Sequence, residues 1–204
     1  MSISRLRRGR ARPSKAEQEL GAGAYAMPAT VSLAALLQIG SDRRFRALVS
    51  DLLTLSTRME QVREHLGRRM AITGPQYSLM VAVAHLQGLR GINVGTVAQT
   101  LHVSSAFVAS ETGKLSRRGL LLKRVNPIDR RGVLLTVSPA GRLKLDRVSA
   151  EIRAVNDLFF GALDAEGFAA LSATATALVE SSNKAVRYIG AVKGTPQAAL
   201  HRAG

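Results

Sequence analysis

Asp129, Arg130 and Arg131 stand side by side in the run Asn126-Pro127-Ile128-Asp129-Arg130-Arg131-Gly132, which is flanked by stretches of aliphatic and β-branched residues. A carboxylate beside two guanidiniums can hold one of them by a charge-assisted hydrogen bond while the other reaches outward. An outstretched guanidinium on a hairpin tip suits the narrow, electronegative minor groove of DNA. A second pattern precedes it. If residues 105–118 form a helix, Val108, Glu111, Thr112 and Leu115 face inward, and Ser105, Ala106, Phe107, Ala109, Ser110, Gly113 and Lys114 lie on or near the opposite side. A face so poor in bulky side chains can approach base edges closely, with serine and lysine supplying hydrogen-bonding groups and charge. Ser104, Lys114, Arg117, Arg118 and Lys123 are then placed to meet phosphates. The plainer alternatives are an ordinary amphipathic helix and a solvated hairpin tip.

Other chemistry finds no support. The four histidines, His65, His85, His102 and His201, are scattered, and none has a neighbour at metal-ligand spacing. With no cysteine in the chain, disulfides, cysteine metal sites and thiol-based oxidant sensing are excluded. Gly88, Gly91 and Gly95 lack the strand-to-helix context of a nucleotide fingerprint. No enzyme, cofactor or metal is expected.

The elements that must position these residues follow from periodicity. Val94, Val97, Ala98 and Leu101 recur at i, i+3, i+4 and i+7, predicting a helix over 94–101. Val103 is expected to plug the turn after it, Ser104 to cap the next helix, and Gly119 to end that helix. Residues 120–125 and 133–137 read as two strands of a hairpin, with a short third strand at 92–94. Upstream, apolar residues at three- and four-residue steps predict a long helix over 42–69. Thr73 and Pro75 open a further helix, to about Leu86, that is apolar nearly all round and so belongs at the centre. Downstream, helices over 139–163 and 165–191 carry apolar stripes, with Asp164 capping the second. Residues 31–39 are expected to form a short apolar helix docked on the body. Helices this long cannot bury their faces against one small lobe, which predicts a homodimer.

Together these features make a mostly α winged helix-turn-helix, a three-helix core plus a β-hairpin wing with long N- and C-terminal dimerisation helices. The chain resembles the MarR family of bacterial transcriptional regulators. The resemblance rests on the turn ending in Val103-Ser104, the run Leu115-Ser116-Arg117-Arg118-Gly119-Leu120, and Asp129-Arg130-Arg131 followed by Leu135-Thr136-Val137-Ser138-Pro139-Ala140-Gly141, a slightly altered form of the family's "LT-x-x-G". It covers roughly residues 41–191. It implies a repressor that binds a pseudo-palindromic double-stranded DNA operator as a homodimer and responds to a small anionic aromatic effector. It also implies that Arg130 enters the minor groove while Arg131 pairs with Asp129, although the residues alone leave the reverse open. An effector pocket between the dimer helices and the winged lobe would draw on Met59, Arg63, His65, Tyr77, Met80 and His85; a plain core is the alternative for its apolar members. One departure is Glu111, at an inward position where the family usually has an aliphatic residue. It needs a basic partner or a slight rotation of the helix.

The expected organisation is a basic arm and short helix over 1–40, a winged-helix domain over 41–191 and a flexible tail over 192–204. Within the domain, the DNA-binding lobe spans about 72–138 and the dimerisation helices about 42–69 and 139–191. The net charge of +15 favours a polyanionic partner, and Arg5, Arg7, Arg8, Arg10 and Arg12 make the arm a phosphate-seeking one. The uncharged stretch 20–41 invites comparison with a signal peptide. Lys15, Glu17 and Glu19 on its approach and Pro28 within it argue against that, so a cytoplasmic protein without membrane contact is expected. A sequence-neutral architectural DNA binder and a winged-helix protein-interaction module remain the competing classes.

Overall fold

The computed structural model describes residues 25, 27–127, 129 and 132–193. Among them are six α-helices and one small sheet. In chain order they are α1 (Arg43–Arg69), α2 (Gly74–Leu86), β1 (Ile92–Asn93), α3 (Val94–Leu101), α4 (Ser105–Arg117), β2 (Leu121–Val125), β3 (Val133–Val137), α5 (Pro139–Phe160) and α6 (Ala165–Lys193). The chain divides after Arg58 into two compact units.

In the first unit the approach to α1 is folded back on itself. Asp42, only 5% exposed, takes hydrogen bonds on Oδ2 from both the backbone N–H and the hydroxyl of Thr30, each at 2.7 Å. Its other oxygen pairs with Arg46 at 2.6 Å. The Thr30 bonds, the backbone one foremost, hold the Asp42 carboxyl below the usual aspartate range. The helix expected over 31–39 is absent: only Ala34–Leu36 make a single 3-10 turn, and Leu33, Leu36 and Ile39 are exposed. Nine residues are too few to offset helix nucleation without a packing surface. A tight Gln38–Ser41 turn with Ile39 and Gly40 at positive φ ends the segment instead.

The second unit holds the core. The C-terminal part of α1 stops at a left-handed Ala71, and Thr73 opens α2 through a full capping box. The Thr73 hydroxyl accepts from Gln76 N while the Gln76 side chain accepts from Thr73 N, both at 3.3 Å. Tyr77, Leu79, Met80, Ala82 and Val83 are all buried, so α2 is the central helix its composition predicts. Around it pack Leu66 of α1 and Met70 just after it, Val97 and Ala98 of α3, Val108 and Leu115 of α4, Leu121, Leu135 and Val137 of the sheet, and Val148 of α5.

The sheet is antiparallel in the order β1-β3-β2. Leu121 pairs with Val137 and Val125 with Val133, and Ile92–Asn93 supplies the third strand opposite Leu135 and Leu134. Asn93 also caps α3, accepting from Thr96 N at 2.7 Å. Val103 does not fill the turn after α3; it is 39% exposed. His102 takes a left-handed conformation that carries the chain outward, and Leu101 packs against the core in its stead. Helix α5 ends at Phe160, with Gly161 as its C-cap, short of the expected residue 163. Its start is tight: a Cβ on Gly141 would lie 2.2 Å from the Leu120 carbonyl oxygen. Among the described residues no helix is long and apolar enough to cross a membrane.

Candidate nucleic-acid interface

Three side chains fix the second helix of the helix-turn-helix, α4. Val108, Thr112 and Leu115 are fully buried, and the Thr112 hydroxyl donates to the Val108 carbonyl at 2.7 Å. Inward-facing Glu111 finds two partners and keeps the helix in register. Lys114 Nζ lies 2.5 Å from its Oε1, and Gln76 Nε2 donates to its Oε2 at 2.9 Å. Those bonds, from Lys114 first and Gln76 second, hold the Glu111 carboxyl below its ordinary range.

With that register, Ser105, Ala106, Phe107, Ala109, Ser110 and Lys114 are exposed on the outer face. Ser104 serves as the N-cap, accepting from Phe107 N at 3.1 Å, and its hydroxyl proton remains a donor. Arg117 and Lys123 converge above Gly113. A Cβ there would be 3.6 Å from Arg117 Nη1 and 3.8 Å from Lys123 Nζ, so the glycine leaves room for two cations side by side. Lys123 Nζ also reaches the Ala109 carbonyl at 3.4 Å. Burial, and then the Arg117 charge, lowers the Lys123 pKa, so this ammonium would gain from an incoming phosphate.

Arg118 is placed elsewhere. Its Nη2 donates to the Ala71 carbonyl at 2.6 Å, tying the end of α4 to the turn after α1. Lys114, likewise, is already paired with Glu111. Arg130 and Arg131 lie outside the described residues. Asp129 is described and exposed, and the neck of its hairpin is closed by Gly132 N to the Asp129 carbonyl at 2.8 Å and Asn126 N to the Gly132 carbonyl at 2.9 Å.

A separate cavity of about 120 Å³ lies between the C-terminal part of α1, α2 and α5. Met59, Arg63 and Tyr77 line it, together with Val62, Leu66, Val155, Asn156, Phe159 and Phe160. His65, Met80 and His85 do not. His65 faces Glu151 at 2.6 Å, Met80 is fully buried in the core, and His85 is exposed in the last turn of α2. The α5 residues of the wall stand some ninety positions away in sequence from Met59 and Arg63, and no local pattern pointed to them. Arg63 pairs with Glu60, and burial raises the pKa of the Tyr77 hydroxyl, which stays neutral.

Helix, turn, helix and hairpin in this order define a winged helix-turn-helix. Its particular version, with long helices before and after the lobe, is the MarR-like winged-helix fold. No family model matches the sequence, and no curated protein does. Solved structures do match. AbsC, a MarR family transcriptional regulator from Streptomyces coelicolor, is 15% identical, with 68% of this chain and 94% of that chain covered and a TM-score of 0.59. MepR from S. aureus, in complex with DNA, is 16% identical over 65% of this chain and 96% of that one, TM-score 0.57. PcaV from Streptomyces coelicolor, in complex with its natural ligand, is 26% identical over 63% of this chain and 91% of that one, TM-score 0.51.

Proposed function

We propose that this protein is a sequence-specific DNA-binding transcriptional regulator that acts as a homodimer on a pseudo-palindromic operator. One observation carries the reading: a helix whose outer face is mostly small residues and serine around Phe107, with Arg117 and Lys123 beside it, followed by a hairpin between whose strands the sequence sets Arg130 and Arg131. That helix and hairpin sit in a fold shared with a regulator solved on DNA. In this reading Ser105 to Ser110 meet base edges in the major groove, with Phe107 offering an apolar edge to a thymine methyl. Ser104, Arg117 and Lys123 meet phosphates, Lys114 joins them when it leaves Glu111, and Arg130 or Arg131 enters the minor groove.

The dimer is supported by apolar surface that the chain itself leaves uncovered. Every residue from Phe168 to Ala191 in α6 is exposed, including Leu171, Leu178, Tyr188 and Ile189. In the first unit, Leu48, Leu52 and Leu55 of α1 are exposed as well. Phe168, Ala175, Ser182 and Ile189 recur every seven residues, and Leu171, Leu178 and Ala185 do so three positions later. That is the seam of a helix that packs lengthwise on another. A two-fold pair sets its recognition helices about 34–36 Å apart, one turn of duplex.

The cavity beside Arg63 and Tyr77 gives the regulator an input. At about 120 Å³ it is the size of a single aromatic ring. Arg63 and Asn156 supply polar groups for a carboxylate on that ring. We assign it to a small aromatic acid whose binding relieves repression.

The test is a titration of the protein on a duplex enriched by binding from a random-sequence pool, against an unselected duplex. A regulator prefers the selected site by about 10³-fold or more. A near-equal affinity for both duplexes makes the protein architectural, and binding to neither makes the fold a protein-docking module.

A further inference from the structure

The wing sheet has two faces, and only one of them packs on the helices. Along β2, Leu121 is buried and Lys123 reaches back to α4, so side-chain alternation turns Leu122 and Arg124 to the other face. There Arg124 Nη2 donates to the carbonyl of Arg90, in the loop before β1. Between the two arginines opens a cleft of about 390 Å³, bounded by the hairpin neck at Val125, Asn126 and Pro127 and floored by Gly91 and Leu134. Gly91 makes that floor possible. It sits at φ +87°, with the site of a Cβ only 3.0 Å from both the Leu135 carbonyl oxygen and Thr136 Cγ2, so the chain lies flush on β3. Among the described residues, no carboxylate lines the cleft. Two arginines, Arg90 and Arg124, line one concave site that has no acid among the described residues; such a site is matched to an anion, and the planar fork of arginine favours phosphate.

We propose that Arg90 and Arg124 form a phosphate clamp on the outer flank of the wing, taking a backbone phosphate of the operator. The proposal rests on the DNA-binding reading and extends it. A hairpin lowered into a minor groove has a phosphodiester chain along each flank. The Arg117–Lys123 pair faces one chain and the Arg90–Arg124 cleft faces the other. The wing is then gripped from both sides, and the footprint reaches beyond the groove that the tip occupies.

Arg90→Ala is the primary variant, because only the Arg90 carbonyl, and not its side chain, is used by Arg124. Arg90→Lys tests whether charge restores the contact. Arg153→Ala, which removes an exposed arginine on α5, controls for net charge. Affinity for a duplex enriched from a random pool is measured over a series of salt concentrations, with thermal melting as a check on folding. Arg90→Ala should melt as wild type, bind several-fold more weakly on selected and random duplex alike, and lower the slope of log K against log salt by about 0.9. Arg90→Lys should recover most of the slope, and Arg153→Ala should leave it unchanged. A wild-type slope in Arg90→Ala, or an equal drop in Arg153→Ala, overturns the clamp while leaving the regulator intact. So does a wild-type slope accompanied by binding of inorganic phosphate in the cleft, which would make it a site for a free anion. A wild-type protein that binds no duplex overturns the regulator reading, and the clamp with it.

Discussion

The side-chain amide of Gln76 caps its own helix with one atom and holds α4 with the other. Its Oε1 accepts from Thr73 N at 3.3 Å, and its Nε2 donates to Glu111 Oε2 at 2.9 Å, a contact across 35 residues of sequence. Gln76 is itself buried, at 6% exposure. Gln76→Ala should therefore cost about 2 kcal/mol, since it strips both a cap and a hydrogen bond to a charged group. The measurement is the urea midpoint. A shift indistinguishable from that of a surface alanine substitution would show that Glu111 needs only Lys114.

Glycine at position 141 is dictated by distance. The start of α5 comes so close to the link between α4 and β2 that a Cβ would meet the Leu120 carbonyl oxygen at 2.2 Å, and backbone cannot step aside as a side chain can. Ser138 bridges the same junction, its hydroxyl donating to the Gly119 carbonyl at 2.6 Å and accepting from Gly141 N at 2.9 Å. Gly141→Ala should lower stability by about 2 kcal/mol or more through forced backbone displacement. Thermal melting checks this, and an unchanged midpoint would mean the junction is soft.

Glu151 joins α5 to α1 in a pH-dependent way. It faces His65 Nε2 at 2.6 Å and accepts from Arg69 Nε at 2.9 Å, and these partners, His65 foremost, hold its carboxyl below the ordinary range. A depressed carboxylate contributes its stability in full above the unfolded value, about 4.3, and loses it as pH falls through the lower folded value. Wild type should thus have a higher urea midpoint than Glu151→Gln at pH 7, with the difference shrinking as the pH falls through the lowered folded value. A difference that persists in acid would locate the effect in packing.

Self-association should depend on the exposed stripe of α6. Leu171→Glu together with Leu178→Glu places two charges on a surface that a partner copy would bury, and should yield a monomer by sedimentation. The monomer should lose the preference for a selected duplex while still binding weakly through its charge. A double variant that remains dimeric would move the interface to another face.

On the wing, Arg130→Ala should weaken DNA binding and lower the salt slope by about one. Lys123→Ala should do the same on the inner flank, where the lysine has Arg117 for a neighbour. An unchanged slope and affinity in Arg130→Ala would refute the assignment of the tip to the minor groove.

Much of this architecture is written in periodicity and punctuation. The steps from Val94 to Leu101, the cap at Ser104, the stop at Gly119 and the Thr73-Pro75 start of α2 are local signals, and each lies where local chemistry puts it. What the pattern could not carry was the identity of distant partners. Nothing near Glu111 in sequence points to Gln76, nothing near Arg118 points to the Ala71 carbonyl, and Arg90 and Arg124 meet only because β2 alternates beside the loop before β1. The segment 31–39 fails for a different reason. Its leucines are spaced for a helix, but Leu33 and Leu36 stay exposed, and a tight turn at Ile39 and Gly40 ends the segment.

The end of α1 is gripped twice. Arg118 reaches the Ala71 carbonyl from α4, and Lys144 reaches the Met70 carbonyl from α5, at 2.6 and 2.8 Å. The last turns of α1 also form one wall of the ring-sized cavity. A compound that pried that wall outward would have to carry α4 along or break two hydrogen bonds from charged side chains to backbone carbonyls. On the proposed reading, the ring-sized cavity and the DNA-facing helix would then turn on a single pivot.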